Sequence, residues 1–177
     1  IALNQRHHQL RDTLDEARHF LSLPQPFQDD VPNAHAKTKA PAGSPQAARR
    51  LFAASKPIIG TMAEGYLRNR AITSLCDSES LRFHPHCFYR PSDDDEPGTP
   101  AAWPAMIAAV TDLEGQITGV HRTYLSSPAP RATAPVKAPV AIPCRAMGNL
   151  LGHGVRFGTA DDVMVAGEGI ETVRSLK

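Results

Sequence analysis

The segment AMIAAVTDLEGQITGVHRTYL, residues 105–125, carries the clearest structural signal in the chain. An apolar run from Met106 to Val110 meets the turn TDLEGQ with Gly115, and ITGVHRTYL returns. Two strand-like runs around a short glycine-containing turn predict a β-hairpin. Alternation along the return strand sets Val120, Arg122 and Tyr124 on one face and His121, Thr123 and Leu125 on the other. An arginine in mid-strand between Val120 and Tyr124 needs a reason. It is either a surface position on a half-exposed sheet or a guanidinium held rigidly for an anionic ligand.

Toward the N-terminus, SPQAARRLFAASK carries Ser44 as an N-cap, Pro45 at the first helical position and Leu51 and Phe52 as apolar anchors. This predicts a helix from Pro45 to Ser55. TMAEGYLRNRAI follows, with Thr61 and Glu64 at capping-box spacing and Met62, Tyr66 and Leu67 on the buried side. SLRFHPHCFYRP reads as a short strand running into a turn. His84, His86 and Cys87 lie close together there, but Pro85 interrupts them and no second ligand cluster follows at metal-site spacing. The acidic run in PSDDDEPGTP lacks EF-hand spacing and reads as a solvated loop. Toward the C-terminus, CRAMGNLLGHGVRFG offers Gly148, Gly152, Gly154 and Gly158 for tight turns, in neither the P-loop nor the dinucleotide pattern. DVMVAGEGIETVRSLK then predicts a strand over Val163–Ala166, a Gly-Glu-Gly turn and a helix start, which places Glu168 at the carboxyl end of a strand.

Farther out the chain becomes irregular. Residues 1–23 carry Leu3, Leu10, Leu14, Ala17 and Leu21 at helical spacing, and His7, His8 and His19 read as solvated positions. Residues 24–44 are proline-rich and nearly free of large apolar side chains, which is a linker composition. The expected organisation is a helix over 1–23, a linker over 24–44, a main domain over 45–160 and the start of a further α/β unit over 161–177. The fold class is α+β: helices within 45–70, a small antiparallel sheet centred on the 105–125 hairpin, then the strand–helix unit.

Composition narrows the function classes. Hydrophobic residues make up 41% and charged residues 21% of the 177, in keeping with a globular domain. The formal net charge of +1 restricts polyanion binding to a local basic patch. The cysteines Cys76, Cys87 and Cys144 are odd in number and widely spaced, which argues against a disulfide framework or zinc ribbon and for a reducing cytoplasm. No apolar run approaches the ~20 residues that span a bilayer, so no membrane partner is expected.

The order of segments adds a resemblance. YLRNRAI, LRFHP, the 105–125 hairpin, KAPV, MGNLLGHGVRFG and VMVAGEGIETVRSL together resemble the DnaG-type bacterial primases, above all the Toprim-containing primases and primase–helicases of phages, plasmids and mobile elements. In that family a YL..RGI helix precedes a hairpin of the form P..D..G.I.G...R. A lysine-containing PK stretch follows, and the Toprim domain opens with a strand ending in EG..D or EG.E. The similarity covers about residues 45–177.

The resemblance implies RNA-primer synthesis on a single-stranded DNA template from ribonucleotides, by metal-dependent nucleotidyl transfer. It implies that Glu168 is the first Toprim acid, catalytic and metal-binding, with Gly167 and Gly169 keeping its turn tight. Glu171 stands where many members have Asp. Arg122 and Lys137 match the basic positions that face template or nucleotide, with Arg145 and Asn149 in the same groove. Mg²⁺ or Mn²⁺ is the implied cofactor of the full-length parent, and a replicative helicase an implied partner. Ala71 departs from the pattern, standing where the family has glycine, which implies an altered helix end. The D-x-D acids that complete a Toprim metal site are expected beyond Lys177. The chain then reads as an inactive fragment that binds no metal tightly, with an exposed strand edge near Val163–Ala166. The alternatives are a non-catalytic single-stranded nucleic-acid-binding module, a different Toprim enzyme such as a nuclease or topoisomerase, or a decayed gene product.

Overall fold

The computed structural model describes residues 43–75, 79–127, 134–158 and 164–175. The chain divides into two units between Lys39 and Ala40, and every described residue belongs to the second. The helix expected over 1–23 and nearly all of the linker expected over 24–44 lie outside the described residues.

The architecture is α+β. Helix α1 (Pro45–Ala54) is followed by β1 (Lys56–Pro57), α2 (Met62–Arg68), β2 (Leu81–Phe88), β3 (Ala102–Thr111), β4 (Ile117–Ser126), β5 (Val136–Lys137), β6 (Cys144–Gly148) and α3 (Ile170–Arg174). The six strands form one antiparallel sheet in the order β1-β2-β3-β4-β5, with β6 also paired to β4. The predicted hairpin is β3–β4, at the centre. Its turn closes through Gln116 N donating to Asp112 Oδ1 at 2.7 Å, with Gly115 at φ +80°.

β3 is buried from Ala105 to Val110 because the sheet is covered on both faces. One face packs Met106, Ala108, Leu125, Leu81 and Phe83 against Ala63, Tyr66 and Leu67 of α2. The other packs Ala105, Ile107, Ala109, Val120 and Tyr124 against Ala48 and Phe52 of α1. The face assignment along β4 made from alternation therefore holds. Each of the three tyrosines is fully buried and keeps its hydroxyl bonded: Tyr66 to Glu171, Tyr89 to Asp95 and Tyr124 to the Phe88 carbonyl. Pro85 sits in β2 where the β2–β3 register shifts between His84 and Cys87, as a residue without an N–H must.

The helix signals read from sequence are present. Ser44 Oγ accepts from Ala47 N at 3.2 Å, and Thr61 Oγ1 accepts from Ala63 N at 3.2 Å. Glu64 reaches back as a capping-box glutamate does, but to Gly60 N, at 2.6 Å. Helix α2 ends in a regular C-terminal motif. Ile72 N bonds to Leu67 O at 3.1 Å and Ala71 N to Arg68 O at 3.0 Å, the paired bonds of a Schellman motif. The residue between them must be left-handed, and Ala71 has φ +59°, the one non-glycine with positive φ among the described residues. Alanine thus occupies a position that glycine more often fills. The left-handed conformation costs an L-residue about 1–2 kcal/mol. Glycine's greater freedom in the unfolded chain offsets part of that. We expect Ala71→Gly to stabilise the domain by about 0.5–1 kcal/mol in urea unfolding.

One expectation is corrected. No strand forms over Met164–Ala166. These residues are exposed and pair with nothing in the sheet. Strand composition does not by itself make a strand, which also needs a pairing partner for its N–H and C=O groups. What remains of the expected strand–helix unit is the Gly167–Gly169 turn and the five-residue α3.

Candidate functional site

Alternation along β4 distributes the candidate residues between two sites on opposite sides of the sheet. His121 and Thr123 point to the α2 side and line a cavity of about 420 Å³ with Lys137 of β5, Cys144 and Ala146 of β6, His153 and Val155 of the following loop, and Gly167 to Glu171. Lys137 and Glu168 thus line one cavity although distant in sequence. Glu168 is exposed at its mouth, flanked by Gly167 and Gly169.

Glu171 is the most engaged carboxylate of this cavity. Tyr66 Oη donates to its Oε1 at 2.5 Å, and Lys137 Nζ lies 3.5 Å from the same oxygen. Burial by itself would raise the Glu171 pKa. The Tyr66 hydroxyl, backbone donation and the charges of Lys137 and Arg70 outweigh it, so the pKa lies below the ordinary carboxylate value. Burial and that same hydrogen bond push the Tyr66 phenol well up. Arg70 stacks over the Tyr66 ring at 3.8 Å. Burial lowers the pKa of His121, against the pull of Glu171, so its imidazole is neutral at neutral pH. Its Nδ1 is buried without a hydrogen-bond partner. His153 Nδ1 bonds with Thr118 Oγ1 at 2.8 Å and the Asn149 carbonyl at 3.1 Å. Asn149 itself is exposed and does not line the cavity.

Arg122 and Arg145 are not in that cavity. Arg122 lies on the α1 side of β4 and Arg145 directly opposite it on β6, in register. The cross-strand row continues through Ile107 to Arg82 on β2. The Arg145 guanidinium stacks on Tyr89 at 4.1 Å and that of Arg122 lies 5.8 Å from the Tyr124 ring; the two rings meet edge-on at 5.0 Å. Arg145 Nη1 donates to the Arg90 carbonyl at 2.6 Å and Arg122 Nη2 to the Ala146 carbonyl at 3.5 Å. Neither forms an ion pair with a described carboxylate, and both Nε atoms are buried without a partner. Burial pushes the Cys87 thiol up, with the nearby Arg122 guanidinium opposing. Opposed like charges on neighbouring strands disfavour the sheet, with Cβ atoms roughly 4.5–5.5 Å apart. An anion between the guanidiniums reverses the sign of that interaction.

Sequence reasoning placed Arg122, Lys137 and Arg145 in one groove. The fold separates them, because β5 and β6 join the same edge of β4 while Lys137 is turned to one face and Arg145 to the other. Spacing gave no signal for Tyr66 and His121, which enter the cavity only through tertiary packing. The described residues contain no group of three or more His, Cys, Asp or Glu side chains placed to hold a metal ion. None of the described helices is long and apolar enough to cross a membrane.

A family model described as a domain of unknown function (DUF7146) matches residues 42–157, which is more than half of the chain, so the chain belongs to that family. No curated protein and no solved structure matches.

Proposed function

We propose, for this member of the DUF7146 family, that the domain is the strand-binding part of a primase-type catalytic core of the kind its sequence resembles. In that core RNA primers are made on single-stranded DNA. The observation that carries the reading is the Arg122–Arg145 pair: two arginines at directly paired backbone positions, without carboxylate partners among the described residues, beside two tyrosine rings. Phosphodiester oxygens satisfy such a pair, and phosphate contacts dominate affinity for single strands. Two further features agree with the resemblance. Lys137 and Glu168 share a cavity, and Ala71 adopts the left-handed conformation for which the family's glycine is suited.

Nucleotidyl transfer calls for Mg²⁺ or Mn²⁺, and a hard divalent cation wants roughly six or more oxygen ligands. Glu171 is held by Tyr66 and Lys137, and Glu168 stands exposed beside it without a third converging carboxylate among the described residues. This donor set does not fit the ion unaided, and no step is assigned through it. The alternative is a binding module without catalysis, which the arginine pair serves equally well.

Fluorescence anisotropy of a labelled single-stranded oligonucleotide, over a salt series with and without Mg²⁺, tests the reading. Binding is expected to weaken steeply with salt and to be insensitive to Mg²⁺. Absence of binding at low salt would overturn it.

A further inference from the structure

We propose that Glu171 is a positioning residue whose carboxylate fixes Lys137 and the Gly167–Gly169 turn, so that Lys137 and Glu168 are presented together at the cavity mouth. The use made of Glu168 rests on the primase-type reading; the fixing of Lys137 does not.

Five residues are too few for a helix such as α3 to be stable by its own hydrogen bonds. Its N-cap is Gly169, which offers no side-chain cap. The segment is held by three groups facing inward. Ile170 packs against the α2-side core. Arg174 is buried, donates to the Ser74 carbonyl and lies over Phe157 at 5.3 Å. Glu171 reaches across to both another helix and a strand, through Tyr66 of α2 and Lys137 of β5.

That bridge has a directional consequence. Lys137 belongs to a two-residue strand and is itself exposed, so little else restrains its four-carbon stem. Pairing with a carboxylate that Tyr66 already orients places the ammonium group on the cavity side. Glu168 lies one turn before Glu171, across the Gly169 cap, and its backbone follows wherever the Glu171 anchor is set. The groups facing Glu171 are Tyr66 of α2 and Arg70 in the turn that follows it, Lys137 from β5 and His121 from β4, with Cys144 of β6 beside Tyr66. Lys137 and Arg70 are positive, and burial of part of the His121 ring lowers its pKa and disfavours a charge there. The surroundings therefore favour an ionised Glu171, in keeping with its lowered pKa.

The sign of the pH effect follows. A carboxylate whose folded pKa lies below its unfolded value stabilises the fold above the unfolded pKa. That contribution disappears as the pH falls through the folded value. The latch is closed at neutral pH and opens only in acid.

The test uses the full chain with lysines reductively dimethylated with ¹³C, which keeps their charge, and Lys137→Arg to assign the Lys137 signal. At neutral pH, Glu171→Gln is expected to move the Lys137 methyl resonance toward its value in the denatured chain. Glu171→Asp is expected to restore most of the shift. On acidification the wild-type signal should titrate with a midpoint below the ordinary glutamate range, and Tyr66→Phe should raise that midpoint. Hydrogen exchange at the amides of residues 167–171 should accelerate at least fivefold in Glu171→Gln, with residues 105–125 unchanged. A Lys137 signal that ignores Glu171→Gln at neutral pH would overturn the proposal. Oligonucleotide binding on the Arg122–Arg145 side should be the same in Glu171→Gln as in the wild type, so failure of the latch and failure of strand binding are separately visible.

Discussion

Arg122→Ala combined with Arg145→Ala is expected to weaken single-stranded DNA binding by about 30-fold or more at moderate salt, without unfolding the domain. The arithmetic is about 1 kcal/mol for each phosphate left without its guanidinium, about 2 kcal/mol in all, at about 1.4 kcal/mol per factor of ten. The salt dependence should change with the affinity. Each phosphate neutralised on a single strand contributes about 0.7 to the slope of log K against log salt, so the double variant should show a slope shallower by about 1.4. A structural role for the pair makes a different forecast. Arg122 and Arg145 face each other in register with no described carboxylate between them, so their mutual repulsion opposes folding. Truncation relieves it while forfeiting the stacking on Tyr89 and the bond to Arg90. The two effects offset each other in part, and the net change in urea unfolding should stay within about 1–2 kcal/mol. Unchanged DNA affinity in a folded double variant would remove the binding role. Collapse of stability with affinity falling in parallel would make the pair structural instead.

Gly148→Ala is expected to be the most damaging single-methyl change in the domain, at about 3 kcal/mol or more in denaturant unfolding. Gly148 has φ +98°, a conformation that L-residues rarely adopt. A Cβ there would lie 2.5 Å from the Thr118 carbonyl oxygen and 2.7 Å from the Gly119 Cα, both of them backbone atoms with little room to give. Gly119 is its cross-strand partner, and a Cβ on that side would meet the Met147 carbonyl at 2.8 Å. Facing glycines thus let β4 and β6 approach where side chains would hold them apart. Strain and overlap of this kind account for the large tail of single-mutant effects, against a total stability of only about 5–15 kcal/mol. If the protein absorbs the substitution by releasing β6, Arg145 leaves its place opposite Arg122, and DNA affinity should drop along with stability. Gly152→Ala is the control. It also has positive φ, at +78°, but a Cβ there would meet nothing within 4 Å, so it should lose only about 1–2 kcal/mol to conformational strain. Equal losses at the two positions would show that the close approach of β4 and β6 contributes nothing.

The elements that sequence alone determined are those whose signals are local. Ser44 followed by Pro45 caps α1 because the bond it makes, to Ala47 N, spans three residues. The turn at Asp112–Gln116 closes on itself. The two faces of β4 follow from a backbone period of two, so Arg122 and His121 had to lie on opposite sides in any sheet. Even the conformation of Ala71 is local, set by how α2 ends.

What tertiary structure alone decided is which strand pairs with which edge. VMVA has the composition of a strand, yet residues 164–166 form none, because a strand is completed by tertiary pairing and not by propensity alone. Lys137, Arg145 and Glu168 all follow the hairpin in sequence, and nothing in their spacing says which side of it each will face. β5 and β6 both run along one edge of β4. Their registers turn Lys137 toward Tyr66 and Glu171, and Arg145 toward Tyr89 and Arg122. Chemistry-bearing residue types were therefore legible from the chain. Their division into an arginine face and a Lys137–Glu171 cavity was not, because long-range register is fixed by the sum of many contacts and by no short motif.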